Sequence, residues 1–212
     1  MGAIDSTHIL IKASLIHHAD YFNRKSFHSV ILQVVCDSQC CFTDVFVGWP
    51  VWARDSRVFA RSQVGKMITE GRLIPNDVIE PFLTGNPAYR LSKHRMKNYP
   101  GINLTPDEEH FNYRLSYAHF QVERGLGRLK GRCRCLHKEL DCELDKVVLH
   151  IMTACILHNM REERKECYLE EWNRLSESEI GDLPRPDPLN DDNEAANSAF
   201  VVRNVLTHHL YN

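Results

Sequence analysis

Two carboxylates in this sequence fall where an acid is costly unless something uses it. Asp5 opens the segment Asp-Ser-Thr-His-Ile-Leu-Ile-Lys at residues 5–12, which has the composition of a core strand. Glu123 follows Val122 on a segment whose apolar residues Phe111, Leu115, Ala118, Val122, Leu126 and Leu129 recur at steps of three and four, a helical stripe. Glu123 therefore sits at the edge of that stripe and can point toward a sheet. A carboxylate near a core needs a cation beside it, either a basic side chain or a metal ion. Arg114, Arg124 and Arg128 flank Glu123, so a plain ion pair meets the same need.

A basic run follows directly: Arg124, Arg128, Lys130, Arg132, Arg134 and Lys138, with no acid among them. Beyond Glu162 acids dominate, so the formal net charge of -2 is unevenly spread. A basic helix before an acidic tail is either a phosphate-facing surface or a solvated face. Asp55 precedes Ser-Arg-Val-Phe-Ala-Arg and reads as a helix N-cap. The cysteines form no CxxC pair, and the spacing Cys133, Cys135, His137, Cys142 fits no common zinc module. His158 reads as a hydrogen-bonded core histidine, and Trp49 and Trp52 as covers for a core edge or as stacking surfaces.

The elements that must position these groups are legible in outline. Residues 5–12, 27–36 and 41–48 read as strands, the last two joined by a short turn at 37–39. A helix is expected from Asp55 to about Glu70, ended by Gly71. Residues 78–84 read as a short strand weakened by Pro81, and 90–106 as irregular. Thr105 with Glu108 three residues later forms a capping box for the striped helix. A second strong helix covers about 143–164, disorder is expected over 175–197, and 199–211 is a helix or a strand. No apolar run approaches the ~20 residues of a membrane helix, and the N-terminus does not read as a signal peptide. Strand, strand, strand, helix, strand, helix, helix is the order of an α/β, ribonuclease-H-like mixed sheet flanked by helices, and it suits other α/β and α+β folds too.

Short blocks along the chain narrow this. Asp5-Ser6-Thr7-His8-Ile9, Asn23-Arg24-Lys25, Gln33-Val34-Val35, Gly48-Trp49-Pro50, Asp55-Ser56-Arg57 and Pro87-Ala88-Tyr89 come first. Val122-Glu123-Arg124, Gly127-Arg128-Leu129-Lys130 and Leu157-His158-Asn159 follow. In this order they resemble the nuclease domain of Harbinger-type transposases, across residues 5–159. The resemblance implies a DDE-superfamily, ribonuclease-H-like nuclease at 1–165, N-terminally truncated relative to the family, followed by an acidic, largely disordered tail at 166–212. It implies three carboxylates holding two divalent cations, Mg²⁺ or Mn²⁺, for hydrolysis of DNA phosphodiesters. The first acid maps to Asp5 and the third to Glu123. Asp55 matches a further acid of the family, which makes it an auxiliary metal ligand or, equally, only the helix cap.

The second acid is missing: Asn86 stands before Pro87, and Ser6 replaces the glycine after the first acid. The catalytic and metal-binding set is therefore Asp5, Asn86 and Glu123, with Asp55 as a further ligand. Arg124, Arg128, Lys130, Arg132 and Arg134 are the candidate DNA contacts, which position the backbone without reading sequence. The resemblance further implies a nuclear protein, also cytoplasmic in part, with a Myb-like DNA-binding partner and no membrane association. Two functions follow: a metal-dependent endonuclease impaired by Asn86, or a non-catalytic relic that binds DNA or protein.

Overall fold

The computed structural model describes residues 2–12, 18–23, 26–49, 55–70, 72, 82–86, 89, 91–169, 171–172 and 194–211. Its sheet is built from β1 (Gly2–Leu10), β2 (Ser29–Cys36), β3 (Phe42–Trp49), β4 (Leu83–Gly85) and β5 (Arg95–Met96). The strand order is β3-β2-β1-β4-β5. β1, β2 and β3 pair antiparallel, whereas β4 and β5 run parallel to β1. This is the expected α/β fold, with a mixed sheet of ribonuclease-H type flanked by helices.

Every residue of β2 is buried, as a strand covered on both faces must be. The hairpin into β3 is closed by Asp37, whose Oδ1 accepts the Gln39 and Cys41 backbone N–H groups at 2.8 and 2.9 Å. Alternation along β1 sorts its neighbours. Ala3 and Ile9 point with Val34, Leu32 and Val30 toward one face, and Ile4 points with Val35 toward the other. Asp5 and Thr7 share the Ala3 face.

That face is covered by α3 (Pro106–Arg132) and α4 (Leu144–Glu163). Of the expected α3 stripe, Phe111, Leu115, Val122, Leu126 and Leu129 are buried and Ala118 is half-buried, and on α4 Val147, Ile151 and Cys155 are buried. The capping box is present, with Thr105 Oγ1 accepting the Glu108 N–H and Glu108 accepting the Thr105 N–H. Acids follow in the first turn and Lys130 and Arg132 stand in the last, as the helix dipole favours.

The opposite face is covered by α1 (Asp55–Arg61) and α2 (Gln63–Thr69). One helix was expected here, and Ser62 divides it. Its extended backbone and its Oγ, which accepts the Gly65 N–H at 3.1 Å, make it the N-cap of α2. A Cβ on Gly65 would lie 1.9 Å from the Phe59 carbonyl oxygen, so only glycine allows this turn.

The chain's last helix, α5 (Glu194–Tyr211), corrects the expected domain boundary. Ala199 and Leu206 are buried with Phe111, Leu115, Phe82 and Met96, so this part of the presumed tail completes the core. Most of the expected disordered stretch lies outside the described residues. So do His17 and Trp52, Arg24 and Lys25, and the bulk of the expected 78–84 strand. All eight cysteines are free thiols. Among the described residues no helix is long and apolar enough to cross a membrane.

Candidate active site

β1 and β4 bring the first two site residues together. Ile4 is in register with Gly85, so the residues just beyond, Asp5 and Asn86, are neighbours. Asn86 Nδ2 donates a hydrogen bond to Asp5 Oδ1 at 2.9 Å, and both side chains are part-buried. The Asn86 carbonyl accepts the Tyr89 N–H at 3.1 Å. Tyr89 anchors this contact beneath the sheet. It is 1% exposed, packs with Ile4, Phe59 and Leu83, and its hydroxyl accepts from Gln33 Nε2 at 3.1 Å.

Glu123 stands on α3 beside buried Val122, with its side chain 57% exposed. His119 Nε2 lies 3.8 Å from its Oε1, one turn back, and Arg114, Arg124 and Arg128 form no ion pair with it. Asp55 begins α1, and its side chain lies outside the described residues.

The basic run divides, which corrects the sequence expectation at three positions. Arg128 and Arg132 both pair with Glu162 of α4 at 2.5 Å, and their guanidinium groups lie 5.0 and 5.3 Å from the centre of the Tyr168 ring. Glu162 is 6% exposed and Arg132 3%. This is a desolvated cluster joining two helices, not a surface for phosphate. Lys130 is buried as well, and Nζ donates to Thr7 Oγ1 at 2.7 Å and to the His8 carbonyl at 3.3 Å. Burial pushes its ammonium down to about 8, against the pull of Asp5. Arg124 and Arg134 remain exposed and able to meet a ligand.

Two residues of the closing block tie α4 to the hairpin. His158 Nε2 donates to the Cys40 carbonyl at 2.8 Å, and its ring stacks on Phe42 with centroids 4.6 Å apart. Burial holds its imidazole below the usual range. Asn159 grips the backbone of Phe42 at both ends, accepting its N–H at 2.8 Å and donating to its carbonyl at 2.7 Å. Both are architectural. The sequence did not point to Glu162, although its spacing of four from His158 puts the two on one helix face.

Hard cations take oxygen ligands, and Mg²⁺ typically uses one or two carboxylates with substrate phosphates and water. Asp5 and Asn86 fit that chemistry for one ion, provided the Asn86 amide turns over to present Oδ1 in place of its N–H₂. As folded, the amide hydrogen bond satisfies Asp5 directly. Among the described residues no group of three His, Cys, Asp or Glu side chains is gathered closely enough to hold an ion.

Sequence comparison accords with this geometry. A family model described as DDE superfamily endonuclease matches residues 4–159. "Putative nuclease HARBI1" of Rattus norvegicus is 32% identical over 164 residues, covering 76% of this chain and 45% of the relative. The Mus musculus and Homo sapiens proteins of that name are 31% and 29% identical over 163 residues, with the same coverage. The chain thus spans less than half the length of these curated relatives. No solved structure matches it. With the family match extending from β1 to Asn159 of α4, the chain belongs to the DDE superfamily endonucleases.

Proposed function

We propose that this domain is a metal-dependent DNA endonuclease of transposase origin, attenuated by Asn86, that acts in the nucleus and in part in the cytoplasm. The observation that carries this reading is the meeting of Asp5 and Asn86 across β1 and β4, within a nuclease family, at 2.9 Å. Divalent cations, Mg²⁺ or Mn²⁺ in a two-metal arrangement, would supply Lewis-acid stabilisation of the reacting phosphodiester. Asp5, the Asn86 amide oxygen and Glu123 would hold them, with Asp55 as a further ligand. Arg124 and Arg134, both exposed, would seat the DNA backbone through contacts that weaken with salt. A Myb-like protein would supply sequence recognition.

A second reading has its own observation. The Asn86 N–H₂ already satisfies Asp5, so the pair is stable with no cation between. The domain would then be a non-catalytic module that binds DNA or protein. The test is DNA cleavage in Mg²⁺ or Mn²⁺ by the wild type, Asn86→Asp, and Glu123→Ala in both backgrounds. The attenuated-nuclease reading expects Asn86→Asp to cut faster than the wild type, and Glu123→Ala to abolish cutting in either background. If no variant cuts while salt-dependent DNA binding persists, the binding module is the correct reading.

A further inference from the structure

A helix packed on a sheet turns its apolar side inward, and a single apolar residue left outside is ordinary. α3 departs from this. Tyr113, Tyr117 and Phe120 are 67%, 63% and 54% exposed, although the same helix buries Phe111, Leu115 and Val122. The three rings recur at steps of four and three, so they share the face opposite the buried stripe. Arg124 continues that face one turn further and Arg114 flanks it, both exposed. From Tyr113 to Arg124 the face is about 16 Å long. Glu123 borders it, three residues beyond Phe120.

A contiguous exposed apolar patch marks a binding site, and the composition of this one indicates its ligand. Flat aromatic rings take nucleic-acid bases by stacking whatever the sequence, and guanidinium groups beside them hold phosphate. By contrast, the exposed apolar residues of α4, Leu149 and Ile156 among them, are aliphatic and offer no ring for stacking. A duplex keeps its bases stacked on one another, so only an unpaired strand can use the rings. We propose that the outward face of α3 is a stacking platform for unpaired DNA bases, which leads a single strand past Glu123. Tyr113, Tyr117 and Phe120 take the faces of bases, and Arg114 and Arg124 hold the backbone. The inference rests on the reading of this domain as one that acts on DNA, and adds the form of the substrate, a strand unpaired beside the site.

The test is binding of a labelled oligothymidine strand and of a duplex of equal length, followed by fluorescence anisotropy in chelator, so that neither metal nor cleavage enters. The proteins are the wild type, Tyr117→Ala, Phe120→Ala, Tyr117→Phe, Arg124→Gln and the Tyr113→Ala/Tyr117→Ala/Phe120→Ala triple variant. All the altered side chains are exposed, so each variant should melt within a few degrees of the wild type. The wild type should hold the single strand more tightly than the duplex. Each alanine should weaken single-strand binding about 5- to 10-fold, the low end of what a stacked base contributes, and leave duplex binding within about twofold. Tyr117→Phe keeps its ring and should match the wild type. Arg124→Gln should weaken both ligands and lower the salt dependence by about one phosphate contact. Alanines that weaken neither ligand, or both equally, overturn the platform, while duplex binding that persists leaves the nuclease reading standing. A wild type that binds neither DNA removes the platform and the DNA reading together. A wild-type dimer, seen by light scattering, that the triple variant converts to monomer would assign the rings to a protein interface and overturn the proposal.

Discussion

Replacing Asn86 by aspartate should make the stability of this domain depend on metal. The wild-type amide donates to Asp5 Oδ1 at 2.9 Å. Asn86→Asp removes that donor, and a hydrogen bond to a charged acceptor is worth about 1.5–3 kcal/mol. It also sets two carboxylates against each other, and at about 4 Å with an effective dielectric constant of about 20 their repulsion is about 4 kcal/mol. Both side chains are part-buried, so solvent screens part of this and a net loss of about 2–4 kcal/mol is expected. In a chain of this size that lowers the melting temperature by about 4–16 °C. Lowering the pH toward about 5 should restore stability, as one proton comes to be shared by the pair. A divalent cation at about 100 times its dissociation constant returns about 2.7 kcal/mol. The assay is thermal unfolding followed by circular dichroism, in chelator and then in Mg²⁺ or Mn²⁺. If Asn86→Asp melts with the wild type in chelator and neither responds to the ions, the Asp5–Asn86 contact contributes nothing and the reasoning fails.

Other substitutions test the cluster and the buried imidazole. Glu162→Gln should cost about 3–5 kcal/mol, because it leaves the part-buried Arg128 and the buried Arg132 side chains without their anion. A fall in melting temperature of less than about 2 °C would mean that the cluster is solvated. His158 titrates below its usual range because it is buried. The unfolded chain therefore takes up more protons once the pH falls below about 6.5, and stability is lost toward acid pH. His158→Gln should flatten that acid limb relative to the wild type, and equal pH slopes in the two proteins would show that His158 contributes nothing to it.

The sequence disclosed what repeats and concealed what depends on distant partners. The stripe from Phe111 to Leu129 and the Thr105–Glu108 box are periodic or local signals, and both appear in the structure as read. Asp5 and Asn86 lie 81 residues apart and meet only because β1 and β4 run parallel in register, which no local pattern encodes. The resemblance to a known family supplied that pairing. The basic run showed its charge but not its direction. Arg128 and Arg132 turn inward because Glu162 lies on a second helix, 34 and 30 residues away. Lys130 could have been suspected from its place beside Leu126 and Leu129, next to the buried stripe. The break at Ser62 was readable in principle, since serine three residues before Gly65 is an N-cap position. The apolar residues on both sides of it masked the division. Residues 199–211 stayed undecided between helix and strand because a helix of this length depends on the surface it covers.

That surface has a consequence for how the protein is made. The apolar patch around Phe111, Leu115, Phe82 and Met96 closes only when Ala199 and Leu206 arrive. During synthesis the first half of α3 must wait, its hydrophobic side bare, until the residues up to Leu206 are translated. A ribosome stalled or terminated in the acidic stretch before Glu194 would release a polypeptide with its sheet and first four helices present and that side uncovered. Such a product would be a natural client for chaperones or for degradation. Messages cut short after the sequence motifs of the family are complete would then yield little surviving protein.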